Sequence, residues 1–301
     1  MKKPLFYLIV LVIFFFLGKT LFDNWQKVRE YQFSFNYFYL IISLIFPILT
    51  IISFAFIWNR ILRILDPQNK ISNFKALKIF IYSWFGRYAP GKVLQPLGQV
   101  YLGAREGLSP RILTISVVFE NVLFVISAFL FSLLSLSINF GSQMPGFYYI
   151  IGGAIIAGGF VVIHPKIFYP CLNFVLRKFK KAEVDSSSSL GYKEIIEIIF
   201  YDAVALTLTG IGFFFLINSI IYLPWQNIVG VIGIYTMAGI MGIIAFMPSG
   251  LGVREGVLAG LLQFYFPMGL AVLISLIARF WVTLSELLLL GFTCLTNYGK
   301  K

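Results

Sequence analysis

The chain has 301 residues, 59% hydrophobic and only 12% charged, with a mean hydropathy of +0.89, a net charge of +12 and a pI near 9.6. Soluble domains carry about 25% charged residues, so this chain cannot clothe itself in a solvated surface; a soluble enzyme, a disordered protein and a nucleic-acid-binding domain are excluded. Two cysteines, Cys171 and Cys294, and one histidine, His164, are too few for a disulfide framework, a metal cluster or a Ser-His-Asp triad.

Crossing a hydrocarbon core of about 30 Å takes about 17–25 apolar residues. In chain order, such stretches lie at about 4–20, 37–58, 111–138, 147–163, 195–218 and 268–293. Two further apolar regions, 76–104 and 227–265, are interrupted in the middle by Pro and Gly. The first stretch follows Lys2 and Lys3 without a small-residue cleavage site behind it, so it reads as an uncleaved anchor. Gly152-Gly153 and Gly158-Gly159 place small residues on one span and point to close helix packing. The basic run Arg177-Lys178-Phe179-Lys180-Lys181 and the serines 186–189 belong to a linker at about 164–193. The expected fold is all-α: one polytopic membrane domain over 1–301, with about six transmembrane helices plus two Pro/Gly-broken re-entrant hairpins.

Charge sets the topology. With a cytoplasmic N-terminus, the segments 1–3, 59–78, 105–111, 164–193 and 300–301 face the cytoplasm and hold seventeen of the 24 basic residues. The outer loops 139–146 and 219–226 hold none. This positive-inside bias predicts a multi-pass protein of the cell (cytoplasmic or inner) membrane with both termini cytoplasmic.

The linker divides the chain into halves, about 1–180 and 190–301, that look related. The first half reads Arg87-Tyr88-Ala89-Pro90-Gly91-Lys92, then an apolar arm, Pro110, and a helix with Glu120 inside it. The second reads Pro248-Ser249-Gly250-Leu251-Gly252-Val253-Arg254-Glu255, then an apolar arm, Pro267, and a helix with Arg279 inside it. The landmarks repeat at offsets of 158 (Pro90 to Pro248), 157 (Pro110 to Pro267) and 159 (Glu120 to Arg279). The topology makes this an inverted pseudo-repeat, and matching broken segments in two halves point to a transporter's binding site. Irregular backbone at membrane depth is tolerated only where protein buries it or it lines a wet cavity. The tips also carry cations, Arg87 and Lys92 in one half and Arg254 in the other, suited to a phosphate-sized anion.

Charges inside spans are the other candidates. Glu120 lies about 13 Å along its helix from Arg111, and Arg279 about 18 Å from Pro267. Arg279, Thr283 and Glu286 share a face with Ser275, and Asp202 shares one with Thr209. Each of these charges costs about 2.5–3.5 kcal/mol facing lipid, so all are expected to face inward. They either line a substrate path or form buried ion pairs, such as Arg279 with Glu120 or Asp202. No P-loop, H-E-x-x-H or G-x-S-x-G occurs, so no enzymatic activity, cofactor or metal is expected.

The blocks Arg87-Tyr88-Ala89-Pro90-Gly91 and Pro248-Ser249-Gly250-Leu251-Gly252-Val253-Arg254-Glu255-Gly256 resemble the paired signatures of the lysylphosphatidylglycerol synthase transmembrane family, the flippase-like membrane domain of multiple peptide resistance factor proteins. Glu120 matches as well, and the resemblance covers roughly 1–295. It implies an inner-membrane helical domain with two pseudo-symmetric halves that moves an aminoacylated phospholipid. The sequence, read to Lys301, lacks the cytoplasmic aminoacyl-transferase domain of such proteins, so a stand-alone copy is expected. Some related stand-alone members accompany glycosyltransferases working on lipid-linked sugars.

The expected function is translocation of a phospholipid or lipid-linked headgroup, anionic or zwitterionic, across the membrane. Arg87, Lys92 and Arg254, set by Pro90, Gly91, Pro248, Gly250 and Gly252, would bind the headgroup; Glu120, Asp202, Glu255, Arg279 and Glu286 would complete the site and its polar path. The alternatives are an ion-coupled transporter of a small anion, with Glu120 or Asp202 carrying the coupling proton, and a non-transporting partner of a lipid-modifying glycosyltransferase. Expected partners are membrane lipids, a second copy of the chain or a lipid-modifying enzyme, and no nucleic acid.

Overall fold

The computed structural model describes residues 33, 35–68, 71–88, 94–141, 190–245 and 250–298, with isolated positions between 19 and 25 and between 146 and 170. The apolar stretches at about 4–20 and 147–163 and the linker at about 164–193 fall largely outside the described residues, as do Pro90, Gly91, Lys92 and Pro248 entirely.

Eight α-helices and two short 3-10 turns make up the described regular structure, and no strand occurs among the described residues. Helix α1 runs Tyr37–Leu65 and is capped by Asn36, whose Oδ1 accepts from the Tyr39 N–H at 3.2 Å. Helix α2 runs Asn73–Trp84 behind a Ser72 cap and passes into a 3-10 turn at Phe85–Tyr88. Helix α3 runs Leu94–Arg105. It is terminated at Gly107, where φ is +87° and the Leu108 N–H returns to the Gly103 carbonyl. Helix α4, Pro110–Phe140, opens with proline in its first turn, where the missing N–H costs nothing. Helix α5 runs Tyr192–Asn218, α6 Ile228–Ile244, α7 Val253–Leu262 and α8 Met268–Tyr298.

Among the described residues, five segments are long and apolar enough to cross a membrane: Tyr37–Leu65, Pro110–Phe140, Tyr192–Asn218, Trp225–Ile244 and Met268–Leu295. Four match expected spans. The fifth is the first arm of the second broken region, so that region is lopsided: one arm reaches span length and the other, α7, has 10 residues. In the first broken region α2 and α3 have 12 residues each. At 1.5 Å per residue each measures about 18 Å, well short of the hydrocarbon thickness.

Helix α1 packs along α5, and α6 lies against α4 and α5. The α2–α3 hairpin fits between α1, α4 and α8, while α7 leans on α6 and α8. Phe213, Phe214, Val231, Ile234, Ile274 and Trp281 join α5, α6 and α8 in one buried cluster. A second cluster sets Trp58 and Leu62 of α1 against Phe80 of α2 and Leu113 of α4. Gly210 lets α5 and α6 approach closely, because a Cβ there would lie 2.7 Å from the Ile232 Cα. Phe280, Phe292 and Ile138 point outward, as lipid-facing side chains do.

Candidate functional site

A partly open cavity of about 230 Å³ sits where the two broken regions meet. Ile51, Phe54, Phe124, Leu206 and Ile240 form apolar walls. Into this space face Arg87 from the first tip, Glu120 from α4, Asp202 from α5, Gly250 and Arg254 from the second tip, and Glu286 from α8. Charged residues separated by up to 199 positions, Arg87 and Glu286, thus share one chamber.

The end of α2 and its 3-10 turn converge on Glu286. Its carboxylate accepts from Trp84 Nε1 at 3.1 Å, from Arg87 Nη1 at 3.2 Å and from the Tyr88 hydroxyl. The Arg87 guanidinium also lies 4.5 Å from the centre of the Trp84 ring. Arg87 is therefore held by charge, hydrogen bond and ring together.

The second tip is built differently. Gly250 has φ +68°, a left-handed conformation, and a Cβ there would lie 2.8 Å from the Gly242 Cα on α6. Two turns of chain can approach so closely only through glycine. Gly252, with φ +82°, caps α7, and the Glu255 carboxylate reaches back to accept its N–H at 2.7 Å. Arg279 of α8 lies 3.6 Å from the other Glu255 oxygen. Expected ion pairs of Arg279 with Glu120 or Asp202 do not form; α8 passes beside the α7 N-terminus and brings Arg279 to Glu255 instead. Glu255, Gly252 and Arg279 thus fasten the tip next to the chamber. Arg254, on the chamber side, donates to the Tyr235 hydroxyl and lies 4.8 Å from the Tyr235 ring centre.

Glu120 accepts from Gln99 Nε2 of α3 at 3.0 Å, and Asp202 accepts from Ser127 Oγ of α4 at 3.0 Å. Thr209 donates to Thr50, and both line the chamber near these carboxylates' helices. Of the expected site residues, Arg87, Glu120, Asp202, Gly250, Arg254 and Glu286 come together, and Pro90, Gly91, Lys92 and Pro248 lie outside the described residues. Sequence reasoning missed Trp84, Tyr88, Gln99 and Tyr235. Trp84 and Arg87 stand three apart, a spacing that hints at a stacked pair; Tyr235 and Gln99 carry no such signal.

This arrangement defines a polytopic helical membrane protein with a charged chamber between two broken helix pairs. The family of the lysylphosphatidylglycerol synthase TM region matches residues 5–290, and the chain belongs to it. No curated protein matches the chain. The family gives the protein a membrane lipid-related role.

Proposed function

We propose that the protein translocates a lipid with an anionic or zwitterionic headgroup between the leaflets of the cell membrane, with both termini in the cytoplasm. The observation that carries this reading is that one cation from each broken region, Arg87 and Arg254, faces the same apolar-walled chamber. A headgroup phosphate bridges the two guanidiniums, which present forked donors suited to it. The acyl chains remain in lipid. Glu120 and Asp202 lend polarity to the inner wall, and the two halves rock about the chamber to alternate access.

Support for a re-entrant first hairpin comes from length, since its two arms of about 18 Å cannot each span about 30 Å. Support for the inverted repeat comes from two matched contacts. Gln99 of α3 meets Glu120 of the following helix α4, and Glu255 of α7 meets Arg279 of the following helix α8. Each joins the outgoing arm of a broken region to the long helix after it. We assign Glu255 and Arg279 to holding the second tip, and Glu286 to holding the first.

The test uses purified protein in proteoliposomes carrying headgroup-labelled lipids, one class at a time, with a membrane-impermeant quencher. Excess quenching for one class that disappears in Arg254→Ala supports translocation and identifies the headgroup. No excess for any class sinks the proposal.

A further inference from the structure

Four carboxylates belong to this chamber and its edges, and they are not equally compensated. Glu286 has three donors, one of them Arg87. Glu255 has a backbone N–H and Arg279. Glu120 and Asp202 have a single neutral donor each, Gln99 and Ser127. A carboxylate offers about four acceptor sites, so most of theirs are empty. Among the described residues no ion pair reaches either one.

The matched contacts sharpen the contrast. The second-half pair, Glu255 with Arg279, is neutral; the first-half pair, Gln99 with Glu120, carries an uncancelled negative charge. Asp202 faces the same chamber and adds a second carboxylate with only a neutral donor. Asp202 is only 2% exposed and Gln99 is fully buried. A second, independent feature points the same way. Gln99 Oε1 is buried and has no hydrogen-bond partner, although its own amide nitrogen is bonded to Glu120. A buried acceptor without a donor, set beside an uncompensated carboxylate, is a place short of positive charge. The carboxamide can also turn, offering Nε2 to an ionised Glu120 or Oε1 to a protonated one.

We propose that Glu120, Asp202 and Gln99 form a cation site that takes up one positive charge, a proton or an alkali cation, from the aqueous phase in each translocation step. The coupling role rests on the translocation reading; the binding of the cation does not. The other charged and titratable groups facing the chamber are Arg87 from the first tip, Tyr235 from α6, Arg254 from α7 and Glu286 from α8. Helix α1 contributes Thr50 and no charge. Arg87 is engaged by Glu286 and Arg254 by Tyr235, so both cations already have partners of their own. Loading removes one of the two uncompensated negative charges of the chamber, so that a phosphate entering beside the arginines meets less repulsion.

The experiment measures thermal unfolding of the full-length protein in micelles, first against pH in choline chloride, then against NaCl and KCl at fixed pH and ionic strength. A ligand that binds only the folded state raises its unfolding midpoint. A rise of several degrees on acidification, reduced in both Glu120→Gln and Asp202→Asn, identifies a proton. A rise with sodium or potassium, reduced in the same variants, identifies an alkali cation. Glu120→Gln is isosteric and neutral, so it should fold at least as well as the parent. If either variant is too poorly folded, the infrared band of a protonated carboxyl in the parent and the binding of radioactive sodium give the same answer directly. Parent and variants with superimposable responses to pH and to both salts overturn the proposal, including the case in which only a lipid ammonium fills the site. A cation response lost in the variants, without movement of any labelled lipid, keeps the cation site and fails the translocation reading. Lipid movement without a cation response does the reverse.

Discussion

Truncating Glu286 to alanine tests the assembly of the first tip. The carboxylate is 2% exposed and accepts from Trp84, Arg87 and Tyr88. Its removal leaves the Arg87 guanidinium without its counter-charge and two neutral donors without an acceptor. Breaking a buried ion pair by deleting one member costs about 3–5 kcal/mol. The Arg87 side chain is 21% exposed, which returns some solvation and places the expected loss at the lower end, about 3 kcal/mol. The unpaired Trp84 and Tyr88 donors would each add about 1–3 kcal/mol alone, but contacts in one network do not sum. Glu286→Gln keeps one acceptor oxygen with two lone pairs, enough for two of the three donors, without charge assistance; about half the loss is expected. The assay is reversible unfolding in mixed micelles followed by tryptophan fluorescence, for Glu286→Ala, Arg87→Met and the double variant. The cycle should return a coupling of about 1–3 kcal/mol. A Glu286→Ala variant within about 0.5 kcal/mol of the parent would match a surface substitution and refute the cluster.

Three further outcomes are expected. Gly250→Ala must place a Cβ 2.8 Å from the Gly242 backbone at φ +68°, whereas Gly260 has open space; the first should lose more than about 1 kcal/mol and the second should be neutral or slightly stabilised in the same unfolding assay. Glu255→Gln retains an oxygen for the Gly252 N–H but leaves Arg279 without its countercharge, and the unfolding midpoint should fall by an amount matching about 2 kcal/mol, much less when Arg279→Met is also present. Arg254→Ala removes a charge-assisted contact worth about 1.5–3 kcal/mol, so labelled-lipid translocation at sub-saturating lipid should drop on the order of tenfold to a hundredfold; Arg254→Lys keeps the charge but not the fork stacked on Tyr235, and should fall between.

The long helices were legible because apolar length is a direct signal of a span. Where the apolar run stops the signal stops too: α1 continues past Trp58 through Arg60 and Arg63 to Leu65, with Arg60 meeting Glu197 of α5 at 3.0 Å. The chamber's charged members were legible for the complementary reason. An ionisable residue within a span is too costly to leave in lipid, so Glu120, Asp202 and Glu286 stood out, while Arg87 and Arg254 were marked by the Pro/Gly breaks that carry them. Partner choice did not. Arg279 could meet any of several carboxylates, and only the path of α8 past the cap of α7 selects Glu255. Tyr235 and Gln99 were invisible because a tyrosine or glutamine in an apolar run is equally at home at an interface. The lopsided second region was missed because its Pro and Gly cluster around 248–252 says where the chain breaks, not how far each arm extends.

Helix α8 ties the two tips together, and this constrains any rocking motion. Arg279 and Glu286 stand seven residues apart, about 10 Å along the axis. Glu286 holds Trp84, Arg87 and Tyr88 of the first tip, while Arg279 pairs with Glu255 of the second and lies 5.8 Å from the Tyr88 ring of the first. Moving one tip relative to the other must therefore stretch one of these attachments. They are unequal. The Glu286 attachment has three donors at hydrogen-bond distance; the Arg279–Glu255 contact measures 3.6 Å, longer than a good charge-assisted bond. On the translocation reading proposed above, the longer Arg279–Glu255 contact is expected to open before the Glu286 cluster does; distances between spin labels on α7 and α8 that stay fixed during lipid movement would refute this.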